Sequence, residues 1–236
     1  MPGNWAPFQQ REIWKFMYDG WIITIEMAVS SIILSLVFGL LLALARGARS
    51  HIISWPAVLY IETVRALPVF LLIFYTYLAA PKLGVNLPAL ASAIVALTMY
   101  TSAVLAEVIR AGIGGLARGQ FEAARSLGLS YLQTMRFIIL PQAVRNMSPA
   151  IVSQLITLTK DTSLASIVGL NELARRAGII YNNFFNPMET FFVVASMYFV
   201  MCFGLSQVAR RLEARRALPG GPRRNLGDVD ELLVTQ

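Results

Sequence analysis

A chain of 236 residues that is 56% hydrophobic and only 14% charged carries more apolar surface than a soluble domain of this size buries, which argues against an ordinary globular enzyme and for the bilayer. Its formal charge of +7 is read as a record of membrane orientation, so no nucleic-acid partner is expected. Cys202 is the single cysteine, has no partner for an intrachain disulfide and is expected to pack in an apolar run.

Crossing the hydrocarbon core takes about 20 mostly apolar residues. The amino end lacks the ordered features of a removed signal peptide, so the first span is expected to direct insertion itself. That span, residues 21–45, reads WIITIEMAVSSIILSLVFGLLLALA, with Glu26 as its only charge. A second, 55–80, carries Glu62 and Arg65 and is expected to kink at Pro68. The third, 87–113, is polar in its middle at Thr98, Tyr100, Thr101 and Ser102, with Glu107 and Arg110 near its far end. A fourth, 151–170, has Lys160 and Asp161 at its centre; each charge costs about 2.5 to 3.5 kcal/mol in lipid, so protein must shelter it. The fifth, 188–209, is rich in aromatics. The expectation is an all-α, polytopic membrane protein with five transmembrane helices in a single domain, 1–216.

Five spans put the chain ends on opposite sides. Arg46, Arg49, Arg118, Arg125, Arg136, Arg145, Arg210, Arg211, Arg215, Arg216, Arg223 and Arg224 fall on one side, twelve in all, against five on the other: Arg11, Lys15, Lys82, Arg175 and Arg176. This asymmetry predicts an amino terminus outside and a carboxyl terminus in the cytoplasm. Residues 217–236, polar and rich in turn formers, are expected to be a mobile cytoplasmic tail. The connection 114–149 is the largest cytoplasmic one, and loops that long commonly carry function. Its helix formers from Gln120 to Leu127, the stop at Gly128 and the run from Tyr131 to Leu140 before Pro141 predict a short helix across the end of the bundle.

The same connection reads EAARSLGLSYLQTMRFIILPQA, with Glu122, Ala123 and Ala124, then Gly128, then Ile138, Leu140 and Pro141 at defined spacings. This pattern resembles the signature of permease subunits in binding-protein-dependent ABC importers. The resemblance covers roughly residues 20–216 and narrows to the polar amino acid subfamily through YIETVRALP at 60–68, AEVIRAGI at 106–113 and KDTSLASIVG at 160–169. It implies the transmembrane domain of a type I importer in the bacterial cytoplasmic membrane. It also implies two cytoplasmic ATP-binding partner subunits, a second permease subunit, identical or related, and an external amino-acid-binding protein. Glu122, Ala123, Ala124, Gly128 and Pro141 then belong to a coupling helix docked into the ATPase, with Gly128 as its left-handed terminator. Arg175 and Arg176 lie on the side from which cargo arrives.

Other polar residues are read from spacing. Glu62 and Arg65, like Glu107 and Arg110, stand three apart on one helix face, either as stabilising ion pairs or as gate elements that exchange partners. Gln154, Thr157 and Asp161 make a polar stripe beside Lys160. Together with Thr98 and Thr101 they either line the substrate path or pack helices. Lys160 and Asp161 are expected to be structural, neutralising each other or holding a helix end. Buried carboxylates also suit an ion-gradient-driven secondary transporter, and a structural membrane subunit is a further rival. His51 is the only histidine, and neither a metal-ligand cluster nor a nucleophile with its base stands out, so no enzyme activity or metal is expected. None of Lys15, Lys82 or Lys160 follows a glycine, as a phosphate-binding loop requires, which leaves ATP and magnesium to the partner.

Overall fold

The computed structural model describes residues 4–48 and 50–216; the tail 217–236 and Arg49 lie outside them. The described residues form helices and no strand: α1 (Arg11–Arg46), α2 (His51–Ala66), α3 (Val69–Ala79), α4 (Ala89–Gly114), α5 (Arg118–Ser126), α6 (Tyr131–Thr134), α7 (Leu140–Asp161), α8 (Leu173–Phe184) and α9 (Pro187–Arg216). A π-helical turn, Met135–Ile139, joins α6 to α7, and a 3-10 turn, Thr162–Val168, follows α7.

Two elements differ from the spans expected from sequence. Residues 55–80 are not one kinked helix, because α2 and α3 meet at 107°. Proline crowds the residue before it out of helical geometry, so Leu67 is extended at φ −91°, ψ 139°, and Pro68 opens a new helix. In the fourth expected span, helix α7 ends at Asp161 and starts ten residues before residue 150, absorbing part of the expected loop 114–149. Pro141 marks the entry into that longer helix. It sits in the first turn of α7, where a missing N–H leaves no broken bond. Three helices are individually long and apolar enough to cross a membrane: α1, α4 and the Pro187–Arg211 stretch of α9. The bent α2–α3 pair makes a fourth if taken as one span, while α7 is too polar to qualify by composition.

Small residues let the helices approach. The most extensive packing is α1 on α4, where Ser31, Ser35 and Gly39 meet a helix carrying buried Ala93, Ala96 and Ala103. A methyl group on Gly39 would lie 2.9 Å from Leu105 Cβ and 3.2 Å from the Ser102 carbonyl, both too close, so the crossing needs glycine. Met27, Val64, Leu72, Ile73, Leu97 and Ala165 form one buried core joining α1 to α4 with the turn after α7. Met17, Leu173, Ala177, Ile180, Val193 and Val194 form a second, under α8.

Candidate functional site

The short helix after α4 is built to hold its shape. Gly128 takes φ +75°, and the N–H groups of Leu129 and Gly128 return to the carbonyls of Ala124 and Arg125, closing α5 with a left-handed glycine as the sequence predicts. Ser130 and Gln133 then cap each other reciprocally, the Gln133 side chain accepting from Ser130 N–H at 2.9 Å and Ser130 Oγ from Gln133 N–H at 3.3 Å. Gln142 Nε2 donates to Gln120 Oε1 at 3.1 Å, tying α5 to the start of α7. Ala124 is fully buried, whereas Glu122, Ala123 and Gly128 face outward and Pro141 is exposed on α7. Leu127 is 77% exposed at the end of α5, and Tyr131 and Phe137, shortly after it in the chain, are exposed apolar side chains as well. Composition gave no hint of that exposure, because Leu127 reads as an ordinary helix former.

Charges gather where α1, α2 and α4 meet. Arg46 reaches Glu62 at 3.1 Å and Glu107 at 2.6 Å; Arg110 holds Glu107 at 2.9 Å, and Arg65 stands 3.8 Å from it. Three guanidiniums thus share two carboxylates. The expected Glu107–Arg110 pair forms, but no ion pair joins Glu62 to Arg65 among the described residues. Each reaches another helix instead, because α2 leans across the end of α1. Arg46, taken from sequence as an orientation charge, is the hub, with its side chain only 17% exposed and that of Glu107 15%.

On α7 the exposed residues Arg145, Pro149, Ser153 and Lys160 follow helical spacing, with half-buried Gln154, Thr157 and Asp161 along the edge. Lipid does not tolerate such a face, so this side needs protein or water against it. The threonines of α4 do not join it. Thr101 is 1% exposed inside the bundle, and Thr98 borders a largely apolar cleft with Leu34, Phe38, Tyr60 and Val95 that neither Gln154 nor Thr157 lines. Both threonines are buried within the bundle. No ion pair links Lys160 to Asp161 among the described residues, since adjacent positions on a helix point about 100° apart.

At the opposite end, Glu172 caps α8. Its carboxylate accepts from the N–H groups of Ala174 at 2.8 Å and Arg175 at 2.7 Å and from the Tyr198 hydroxyl at 3.2 Å, while Leu173 N–H donates to Thr24 Oγ1 at 3.2 Å. Burial pushes the Glu172 carboxyl up from its usual range, against the pull of these hydrogen bonds. Arg176, expected at a docking surface, is a tie. It donates to the Phe16 carbonyl at 2.6 Å, stacks 4.5 Å over the Phe16 ring and lies 3.7 Å from Asp19. Gly20 leaves room for it: a methyl there would come within 2.6 Å of Arg176 Cδ. Arg175 remains exposed, bonded to Asn171 and the Ser166 carbonyl.

Comparison with known proteins places these features in context. A family profile described as "Binding-protein-dependent transport system inner membrane component" matches residues 35–218. The chain is 47% identical over 206 residues to the probable glutamine ABC transporter permease protein GlnP of Bacillus subtilis, covering 85% of this chain and 94% of that one. It is 37% identical over 227 residues to the glutamate transport system permease protein GluD of Corynebacterium glutamicum, covering 94% and 83%. A solved structure described as an amino acid ABC transporter with histidines superimposes with a TM-score of 0.83 at 31% identity, covering 91% of this chain and all of that one. The inward-facing MetNI methionine ABC transporter shares the fold, with a TM-score of 0.72 at 19% identity.

Proposed function

The chain belongs to the binding-protein-dependent transport system inner membrane components, and from that premise we propose that it is the membrane-spanning subunit of an ATP-driven importer of a polar amino acid. One observation carries the mechanical half of this reading. The element that contains Glu122, Ala123 and Ala124 is short, closed at its far end by Gly128 and lashed to α7, yet it leaves Leu127, and Tyr131 just after it, exposed. An exposed apolar knob on a rigid base fits a groove in another protein. That protein is a cytoplasmic ATPase, two copies of which hold ATP and magnesium, and its closure pushes α5 and α7 together. The amino end then lies outside and the carboxyl end in the cytoplasm.

The polar face of α7 supports the second half. Ser153, Gln154, Thr157 and Lys160 lie on a helix that lipid does not accept, so a second permease chain, identical or related, covers that face and the cargo passes between the two. Gln154, whose amide both donates and accepts, suits a substrate with an amide or carboxylate side chain. The names of the two curated relatives point to the same class. Thr98 and Thr101 pack helices rather than touch cargo, and an external binding protein delivers it at the α8 end, where Arg175 is exposed.

The test is reconstitution. In vesicles with its ATPase and binding protein, the complex is expected to hydrolyse ATP severalfold faster when the binding protein carries glutamine or glutamate. Amino acid uptake by this chain alone, driven by an ion gradient, would overturn the reading. Within that system Gln154→Ala removes one hydrogen bond to the substrate, worth about 0.5 to 1.5 kcal/mol, so transport affinity is expected to fall roughly two- to tenfold. Unchanged kinetics for every amino acid tried rules out a path-lining role for Gln154.

A further inference from the structure

Lys160 is exposed in the last turn of α7, and among the described residues its ammonium makes no ion pair. Its depth follows from what α7 packs on. A methyl group added to Gly112 would lie 2.9 Å from Met147 Cβ, so the first half of α7 meets the end of α4. Just past the other end of α7, Ala165 shares a core with Ala93, Ala96 and Leu97 from the beginning of α4. The two helices therefore run antiparallel. Lys160 stands thirteen residues beyond Met147, about 20 Å along the axis, which sets it level with the middle of α4, a helix long enough to cross the bilayer. The hydrocarbon core is about 30 Å thick, so a lipid headgroup lies about 15 Å away, beyond the reach of a lysine stem.

The carbonyls with which a lysine holds a helix end are already taken. Leu158 accepts from the Thr162 N–H, Thr159 from the Thr162 hydroxyl at 2.7 Å, and Lys160 itself from the Ser163 hydroxyl at 2.8 Å. The sheltered carboxylates are engaged too, Glu107 by arginines, Glu172 by the start of α8 and Glu189 by the Asn4 N–H. A cation at this depth is costly without an anion, so the anion comes from outside the chain. Lys160 shares the exposed face of α7 with Pro149 and Ser153, and it stands about 9 Å along the axis from Gln154. We propose that Lys160 binds the α-carboxylate of the transported amino acid while Gln154 meets its side chain. This rests on the reading of α7 as a wall of the path. Every amino acid brings that carboxylate whatever its side chain, so Lys160 holds the common part of the cargo and Gln154 selects among the variable ones.

The experiment uses the purified complex of permease and ATPase without its binding protein, so that no other receptor reads the carboxylate. Binding of L-glutamine is compared with binding of its α-amide, which keeps the ammonium and the side chain but carries no α-carboxylate. A charge-assisted hydrogen bond supports a preference for glutamine of about ten- to a hundredfold. Lys160→Met is expected to weaken glutamine binding to the level of the amide while leaving the affinity for the amide unchanged, and Lys160→Arg to keep most of the preference. Co-purification with the ATPase checks that each variant is folded, and Lys160→Gln, polar but uncharged, replaces the methionine variant if that one does not assemble. Equal affinity of the unaltered complex for the two compounds would overturn the proposal and leave the importer reading standing. So would a preference that survives the neutral variants, the outcome expected if Asp161 of a second copy takes the charge instead. Binding of no amino acid tried would overturn the proposal together with that reading.

Discussion

Leu127→Asp is expected to leave the protein folded and inserted but to abolish its association with the ATPase and the hydrolysis that cargo stimulates. Leu127 is 77% exposed, so nothing inside the chain depends on it. At the centre of an interface, losing such an anchor costs about 2 kcal/mol or more, and a carboxylate pressed into an apolar groove adds its own desolvation cost. Binding should weaken by at least about 30-fold, measurable by co-purification and by ATPase assay in vesicles. Gly128→Val supplies a second handle on the same element. Nothing lies within 4 Å of the added carbon, so any effect comes from forcing a β-branched residue to φ +75°, at about 1 to 2 kcal/mol. It should fray the end of α5 and uncouple the complex partially. Wild-type association and stimulation by Leu127→Asp would remove α5 from the coupling role.

The second large effect is expected at the charge cluster. Glu107→Leu leaves Arg46, Arg65 and Arg110 with Glu62 as the only carboxylate of the cluster. Breaking a fully buried pair costs about 3 to 5 kcal/mol. Here Arg65 and Arg110 are 38% and 56% exposed and recover some hydration, so we expect a loss of about 2 kcal/mol, read as a lower unfolding temperature in detergent. Arg110→Met should cost under about 1 kcal/mol, since water already reaches that guanidinium. Removing the stranded charge as well, in the double variant Arg46→Met with Glu107→Leu, should restore part of what Glu107→Leu loses. Equal losses for Glu107→Leu and Arg110→Met would mean that Arg46 is not the hub.

The sequence makes some of this legible and hides the rest for physical reasons. Helices α1, α4 and α9 announce themselves as long apolar runs, and Gly128 as a terminator, because both signals are local. The spacing of Glu122, Ala123, Ala124, Gly128 and Pro141 carries the family resemblance, and the family match agrees. What periodicity does not reveal is which face a neighbour covers. Thr98 and Thr101 look like path residues until α4 turns them inward, and Glu62 looks paired with Arg65 until α2 leans toward Arg46. Arg176 reads as a surface cation, yet Gly20, more than 150 positions earlier, makes the space that draws it inside. The break at Pro68 was visible as a kink; its 107° size depends on what α3 packs against.

Helix α1 runs without interruption for 36 residues, about 54 Å at 1.5 Å per residue. Near one end it is clamped to α8 through Phe16, Asp19, Gly20 and Thr24; its last residue, Arg46, grips α2 and α4. A pushrod fixed at both ends has little freedom to absorb a displacement along its length. Any tilt imposed on α8 therefore arrives at Glu62 and Glu107 as a change in leverage, with no slack in between.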